Sequence, residues 1–199
     1  MPPKKTNRWR RRLLAALAVL VVTLLAYTGY TIYNVNFHTI VNGEAYRSGQ
    51  MDAAQFTHVI QDHGIKSIIN LRGTNATALY QGEIETANRL GVQHYDFSLS
   101  AIEEVTLSQM DEIIRTLREA PKPVLIHCKA GSDRTGLASA LYCLAIKGRS
   151  PAEADRELSV WYGHIPLTKT IAMDHSFWHY VSNHVAHAGL KSSFAPAAP

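Results

Sequence analysis

A run of 21 residues without a charge, residues 13–33, decides how this chain can be divided. The run reads LLAALAVLVVTLLAYTGYTIY, and as an α-helix rising about 1.5 Å per residue it would cross roughly 30 Å of hydrocarbon. Tyr27, Tyr30 and Tyr33 cluster at its far end, where amphipathic rings suit a membrane–water interface. The sequence therefore predicts one transmembrane helix over residues 13–33, with the rest of the chain forming a separate domain.

The segment before this run is strongly basic. Residues 1–12 contain Lys4, Lys5, Arg8, Arg10, Arg11 and Arg12 and no acidic residue. By the positive-inside rule this tail stays in the cytoplasm, which predicts a single-pass anchor in an inner (cytoplasmic) membrane and a periplasmic domain. A cleaved signal peptide, a twin-arginine signal and a soluble helix are the alternatives, although no small-x-small cleavage site follows the run.

Charge and cysteine content limit the remaining possibilities. Outside the basic tail the chain has 14 basic and 16 acidic residues, so the high pI belongs to the tail. We therefore expect the membrane as a partner of the N-terminal helix and no nucleic-acid partner for the folded part. The two cysteines, Cys128 and Cys143, are too few for a disulfide scaffold.

Short apolar runs alternate with amphipathic segments along the rest of the chain. A hairpin is predicted around Asn42-Gly43, and buried strands are predicted at residues 65–71, 92–97 and 123–127. Helices are predicted at residues 52–63, 77–90, from Thr106 or Ser108 to Ala120, at 134–147, from Ser150-Pro151 onward, and at 168–187. This alternation predicts an α/β fold with a central, mostly parallel sheet and helices on both faces, over residues 34–188. Residues 189–199 are predicted to form a disordered tail.

The third of these strands leads directly into a glycine-containing loop, residues 128–134. Ligands of α/β sheets bind at the carboxyl ends of strands, and successive loop N–H groups beside a helix N-terminus can surround a phosphate dianion. Gly131 permits the required backbone geometry, and Arg134 can hold two phosphate oxygens with its planar guanidinium. The residues expected to bind the phosphate are Lys129, Ala130, Gly131, Ser132, Asp133 and Arg134.

Cys128 stands at the start of the same loop. The electrostatic field that binds phosphate also stabilises a thiolate, which can attack phosphorus and form a phosphocysteine that water then hydrolyses. Thr135 follows the arginine, and its hydroxyl is expected to hydrogen-bond the sulfur and help it leave. His127 and Gly136 are expected to have structural roles at the loop, and Cys143 to be a core residue.

The pattern His-Cys-x5-Arg-Thr-Gly, here HCKAGSDRTG, resembles the signature of the protein tyrosine and dual-specificity phosphatases. Residues 46–50 (YRSGQ) and 68–72 (IINLR) resemble strand motifs of the same superfamily, so the resemblance covers roughly residues 38–185. It is greatest to compact bacterial dual-specificity-like members that are membrane-anchored or periplasmic. This resemblance implies the compact cysteine-phosphatase fold and a metal-free mechanism, so no cofactor and no metal are expected.

The resemblance also implies a function, with alternatives that the sequence leaves open. The first expectation is hydrolysis of phosphotyrosine and phosphoserine/threonine in proteins through a phosphocysteine. The second is a phospholipid or phosphoinositide phosphatase of the same mechanism, since Lys129 could bind a second phosphate. A phosphate-binding pseudoenzyme and a rhodanese-like sulfur transferase are less consistent with the intact Cys128, Arg134 and Thr135.

The identity of the general acid is the least constrained feature. Some relatives, including myotubularin-like lipid phosphatases, carry an Asp immediately before the loop arginine and assign it the acid role, and Asp133 stands at that position. Other members supply an Asp from a loop upstream of the cysteine, where this chain has Glu103, Glu104 and Asp96. Asp133 is the first choice, and these three residues are the alternatives.

Overall fold

The computed structural model describes residues 8–167 and 169–187, and the chain divides into two compact units between Asn34 and Val35. In the first unit, helix α1 runs from Arg8–Tyr33. Within its stretch Arg8–Tyr30, an 18-residue part has a mean hydropathy of 2.1, and the stretch is long and apolar enough to cross a membrane or to act as a signal sequence. The helix begins earlier than residue 13 because arginine is a good helix former. The predicted disordered tail, residues 189–199, lies outside the described residues.

The second unit is built on a five-stranded sheet with the order β1-β2-β5-β3-β4. Strands β2, β5, β3 and β4 run parallel, and only β1 pairs antiparallel, through the hairpin predicted at Asn42-Gly43. The strands are β1 His38–Val41, β2 Ala45–Ser48, β3 Ser67–Asn70, β4 Gln93–Asp96 and β5 Val124–His127. This topology confirms the predicted mostly parallel sheet.

Helices cover both faces of the sheet. They are α2 Ala53–His63, α3 Ala78–Leu90, α4 Leu107–Glu119, α5 Asp133–Ala145, α6 Pro151–Ala154 and α7 Ala172–His187. Alternate residues of β5 point to opposite faces. Leu125 belongs to the core cluster that contains α2 residues, whereas Val124 and Ile126 belong to the cluster formed with α4, α5 and α7. The predicted α/β fold class, with helices on both faces, is therefore confirmed.

The chain after α5 is less regular than the sequence suggests. The helix opened by Ser150-Pro151 is only α6, and it continues as the 3-10 turn Asp155–Glu157. Glu157 pairs there with a buried arginine of β2, and this tertiary contact competes with helix continuation. The last helix begins at Ala172 instead of residue 168, after a 3-10 turn at Lys169–Ile171.

The parallel strands bring three chain segments to one edge of the sheet. Ser48 at the end of β2 and Asn70 at the end of β3 are both in register with His127 at the end of β5. The segments that follow these strands therefore meet at the carboxyl edge, which is where ligands bind in α/β sheets.

Candidate active site

The loop between β5 and α5 lies directly against the backbone that follows β2. Gly131 has φ +75°, and a Cβ atom there would lie 2.6 Å from the Gly49 nitrogen and 2.7 Å from the Ser48 carbonyl carbon. A Cβ on Gly49 would in turn lie 3.1 Å from the Lys129 oxygen. Glycine is thus required at residue 131 by both conformation and space.

Consecutive carbonyl oxygens of this loop accept hydrogen bonds from outside it. The bonds are Gln50 N–H to Lys129 O (3.1 Å), Asn36 Nδ2 to Ala130 O (3.0 Å), Arg47 Nη2 to Gly131 O (2.9 Å) and Arg47 Nη2 to Ser132 O (3.4 Å). Because the C=O and N–H of a planar trans peptide point in opposite directions, the adjoining N–H groups are turned toward the inside of the loop. Ser132 makes no side-chain cap on α5, so the first amides of that helix add to the same anion-binding concavity.

Arg47 is the main support of the loop and is fully buried. Its Nη1 donates to Glu157 Oε2 at 2.6 Å and to the Glu157 carbonyl at 2.8 Å, and its guanidinium lies 3.8 Å from the centre of the Tyr162 ring. A buried charge is stable only when it is paired and hydrogen-bonded. This role was not predicted from the sequence, although an arginine inside the YRSGQ strand motif is a usable signal.

A buried polar network supports the strand side of the loop. His127 Nε2 lies 2.7 Å and His94 Nε2 2.8 Å from Glu83 Oε1, and Gln50 donates to the other oxygen at 2.8 Å. Burial by itself would raise the pKa of Glu83, but the hydrogen bonds with His127 and His94 outweigh it and lower the pKa to about 2. His127 is therefore held against an ionised carboxylate and adjoins Cys128, which is itself buried.

The two cysteines are both free and both buried, but they occupy different surroundings. Cys143 lies in the middle of α5, and burial, followed by the nearby charge of Glu157, raises its pKa to about 11. A thiol in that environment is unreactive at neutral pH. Cys128 instead begins the loop whose amides face inward.

Arg134 is fixed by one of its terminal nitrogens. Nη1 donates to the carbonyl oxygens of Leu71 at 3.2 Å and Leu99 at 3.1 Å. Its Nε is buried and has no hydrogen-bond partner among the described residues. The side chain is thus anchored at one nitrogen and retains an N–H donor for an anion.

Thr135 and Gly136 open the first turn of α5. The buried Thr135 hydroxyl has no hydrogen-bond partner within the described part of the chain, and a bond to the Cys128 sulfur is not formed there. A Cβ on Gly136 would lie 2.9 Å from the Glu157 carbonyl oxygen, so this glycine lets the 3-10 turn approach the helix. Lys129 and Ala130 are exposed at the outer rim of the loop.

Asp133 is coupled to a buried histidine, His164, that lies outside the loop motif. His164 is fully buried, with Nδ1 2.8 Å from Asp133 Oδ1 and Nε2 2.8 Å from Asp174 Oδ2. Burial lowers the pKa of His164, but the hydrogen bonds and charges of Asp133 and Asp174 outweigh burial and raise it. These residues are far apart in sequence, so spacing gave no signal of the pairing.

The other acid candidates are engaged elsewhere. Asp96 accepts hydrogen bonds from Asn70 at 2.7 Å and from the Tyr80 hydroxyl at 2.8 Å. Glu104 lies 3.2 Å from an exposed histidine, His175, and Glu103 is exposed. Within residues 8–167 and 169–187, no group of three or more His, Cys, Asp or Glu side chains is arranged to hold a metal ion.

A parallel sheet with a cysteine-initiated, inward-facing amide loop at its carboxyl edge defines a class of phosphate-binding α/β proteins. The sequence profile described as "Tyrosine phosphatase family" matches residues 28–154, which is more than half of the chain. The protein therefore belongs to the tyrosine phosphatase family, as the loop signature predicted.

Individual relatives agree with this assignment. Inositol diphosphatase DSP4 of Arabidopsis thaliana is 35% identical over 107 residues, which cover 51% of this chain and 52% of the plant protein. The chain thus spans about half the length of this curated relative.

Solved structures of more distant sequence share the fold. P. aeruginosa TpbA is 22% identical with a TM-score of 0.55, covering 74% of this chain and 91% of TpbA, and one TpbA variant has been solved in complex with phosphotyrosine. The core catalytic domain of the S. cerevisiae PP-IP phosphatase SIW14 is 17% identical with a TM-score of 0.59, covering 79% of this chain and 94% of that domain.

Proposed function

We propose that this protein is a phosphoric monoester hydrolase in which Cys128 is the nucleophile. The observation that carries the proposal is the loop itself: its carbonyls are bonded outward, its amides face inward, and a cysteine begins it. Family membership supports the same chemistry. Such a loop stabilises both a phosphate dianion and the charge that develops in phosphoryl transfer.

In the proposed reaction the substrate phosphate binds to the amides of residues 129–134 and to the free edge of the Arg134 guanidinium. The Cys128 thiolate attacks phosphorus, the P–O bond to the substrate breaks, and a general acid gives the leaving oxygen a proton. Water then attacks the phosphocysteine, releasing inorganic phosphate and the thiolate. In this second step the buried hydroxyl of Thr135 is proposed to hydrogen-bond the departing sulfur.

Asp133 is the proposed general acid. It is one residue before Arg134, and its side chain remains partly exposed, so a substrate oxygen can reach it. His164 holds one carboxylate oxygen of Asp133 at 2.8 Å, and Asp174 holds the opposite face of His164. We assign His164 and Asp174 as positioning residues that fix the Asp133 side chain toward the loop. The alternatives Glu103, Glu104 and Asp96 share no hydrogen bond with residues 128–136 in the described part of the chain.

The pH profile of kcat/KM separates these acids. His164→Gln removes the ring nitrogen that lies 2.8 Å from Asp133 Oδ1, so it is expected to change the high-pH limb. Asp174→Asn weakens the contact that fixes the opposite side of the His164 ring and is expected to change the limb less. Asp133→Asn should remove the limb, whereas Glu103→Gln and Glu104→Gln should leave it in place. An unchanged limb in both Asp133→Asn and His164→Gln would exclude Asp133 as the acid.

The substrate class is proposed from the family and the relatives. Phosphotyrosine and phosphoserine/threonine in proteins are the first choice, supported by the family and by the phosphotyrosine complex of TpbA. Phospholipids, phosphoinositides and other inositol phosphates are the second, supported by DSP4 and by the exposed Lys129 at the loop rim.

The proposed location is the inner membrane, with α1 retained as a single-pass anchor, residues 1–12 in the cytoplasm and the domain on the periplasmic side. The basic residues before the apolar stretch support this orientation. Protease added to spheroplasts should digest the domain and spare the N-terminal tail. Recovery from the periplasm of a chain that starts after residue 30 would instead identify a cleaved signal.

The function is tested by phosphate release from a panel of substrates. The full chain in detergent would be assayed on a phosphotyrosine peptide, a phosphoserine peptide, phosphoinositides and phosphatidylglycerophosphate, with Cys128→Ser as the inactive control and Cys143→Ser as the matched active control. Activity that Cys128→Ser abolishes and Cys143→Ser retains supports the mechanism. Equal activity of wild type and Cys128→Ser would refute it.

A further inference from the structure

Four large apolar side chains are exposed within one short segment after the loop. Val160 is 63% exposed, Trp161 70%, Ile165 53% and Leu167 86%. We call these four residues the apolar ridge. Isolated exposed apolar residues are ordinary, but several in one short segment mark an interaction surface.

The residues that lie between the four members of the apolar ridge hold the backbone of this segment firmly. The Tyr162 ring stacks on the buried Arg47, the Tyr162 carbonyl accepts a hydrogen bond from Asn36 at 2.9 Å, and His164 is fully buried. Thr170 Oγ1 donates to the Ile165 carbonyl at 3.0 Å. The ridge is therefore presented outward by an anchored segment and does not result from a loosely packed one.

The ridge adjoins the candidate active site. A Cβ on Gly163 would lie 3.8 Å from the Ser132 Cβ, and His164 pairs with Asp133. A surface that received the ridge would therefore also approach the phosphate-binding loop. The exposed Lys129 on the loop rim and Lys169 beside the ridge carry charges that suit anionic head groups.

A short chain connection joins the proposed membrane anchor to the domain. Asn36 donates to both the Ala130 and the Tyr162 carbonyls, and it is three residues after Tyr33, where α1 ends. An extended chain covers at most about 3.5 Å per residue, so three residues reach only about 10 Å. A bilayer that holds α1 would therefore be within short reach of the part of the domain to which Asn36 is bonded.

We propose that the apolar ridge docks into the interfacial layer of the lipid bilayer and brings the loop to the level of the head groups. This inference rests on the proposed retention of α1. Trp161 has the ring that is enriched at membrane interfaces, and Leu167, Ile165 and Val160 supply the apolar area that the acyl boundary accepts. The docked orientation favours a phosphate ester carried on a lipid over one in solution.

Quenching of tryptophan fluorescence tests the docking independently of activity. The full chain carrying Trp9→Phe would be reconstituted in vesicles of phosphatidylethanolamine and phosphatidylglycerol, with and without brominated acyl chains. Bromine is expected to quench the emission, and adding Trp161→Phe should remove most of that quenching. Equal quenching with and without Trp161, or no quenching in either, would overturn the proposal and assign the ridge to a protein partner or to a second copy of the chain.

A comparison of two substrates tests the consequence for catalysis. Leu167→Ser and Val160→Ser are expected to lower hydrolysis of vesicle-embedded phosphatidylglycerophosphate by about tenfold relative to hydrolysis of a soluble aryl phosphate. Leu79→Ser, at a similarly apolar residue that is 45% exposed on α3, is the matched control and should leave the ratio unchanged. An unchanged ratio in the ridge variants would count against docking. The proposed function is tested separately by hydrolysis of the aryl phosphate, which Cys128→Ser should lose and the ridge variants should keep.

Discussion

Breaking the buried ion pair between Arg47 and Glu157 should cost far more stability than breaking a surface pair, and the substitution Arg47→Met tests that difference. Arg47 has a fully buried side chain, and that of Glu157 is 9% exposed. Removal of the arginine would leave the Glu157 carboxylate buried without its counter-charge. It would also leave the Gly131 and Ser132 carbonyls of the loop without their donor.

The expected magnitude follows from burial. Breaking a buried pair by removing one partner costs about 3–5 kcal/mol of unfolding free energy. The pair Lys147–Glu44, with side chains 33% and 30% exposed, is the internal comparison, and Lys147→Met should cost about 1 kcal/mol or less. A chain of this size loses roughly 2–4 °C of Tm per kcal/mol, so Arg47→Met should lower Tm by roughly 6–20 °C and Lys147→Met by at most about 4 °C.

Thermal unfolding of the full chain in detergent, followed by tryptophan emission, measures both shifts. The double variant Arg47→Met/Glu157→Leu removes both charges, and it should recover most of the lost Tm. It should not recover phosphate ester hydrolysis, because the carbonyls of Gly131 and Ser132 still lack their donor. Equal Tm shifts for Arg47→Met and Lys147→Met, or full activity in the double variant, would refute the reasoning.

Three further predictions concern the same loop. Because the pKa of Glu83 is lowered from 4.5 to about 2, the stability it contributes is complete above about pH 4.5 and is lost as the pH falls toward 2, so Glu83→Gln should flatten the acid side of a plot of Tm against pH. Gly131→Ala should lower kcat/KM by about 100-fold because its Cβ would meet backbone, while Gly43→Ala, with φ +69° and no atom within 4 Å, should retain activity in the same assay. Mild peroxide should inactivate the enzyme by oxidising Cys128, with recovery on adding thiol, while mass spectrometry should find Cys143 reduced because its pKa is raised to about 11.

Local signals in the sequence predicted much of the fold. The helices predicted at residues 52–63 and 77–90 are α2 and α3, which Asp52 and Thr77 cap at the start and which end at Gly64 and Gly91. These elements could be found because the cap and the helix that it begins or ends are adjacent in sequence. The bounds after α5 were less accurate, since the turn at Asp155–Glu157 is stabilised by a pairing with a distant strand.

In the candidate site, too, the features set by adjacent residues could be predicted and those set by distant residues could not. The loop residues form one contiguous motif, and its position after β5 followed from the apolar run before it. The supports of the loop come from elsewhere: Asn36 precedes β1, Glu83 lies on α3, and His164 follows a 3-10 turn. A histidine or glutamate in isolation carries no indication of its distant partner, so only the folded structure could reveal these contacts.

The arrangement of these supports indicates how the loop can bind an anion without rearranging. Amide groups that face inward repel one another, and the hydrogen bonds that Asn36, Arg47 and Gln50 donate to the outer carbonyls offset that cost. Their hydrogen bonds are made before the substrate arrives, so the cost of ordering the loop is met during folding. Because Asn36 also bonds Tyr162, the support of the loop and the anchoring of the apolar ridge depend on a common residue. Asn36→Ala should therefore impair aryl phosphate hydrolysis and membrane docking together, whereas Leu167→Ser should impair docking alone.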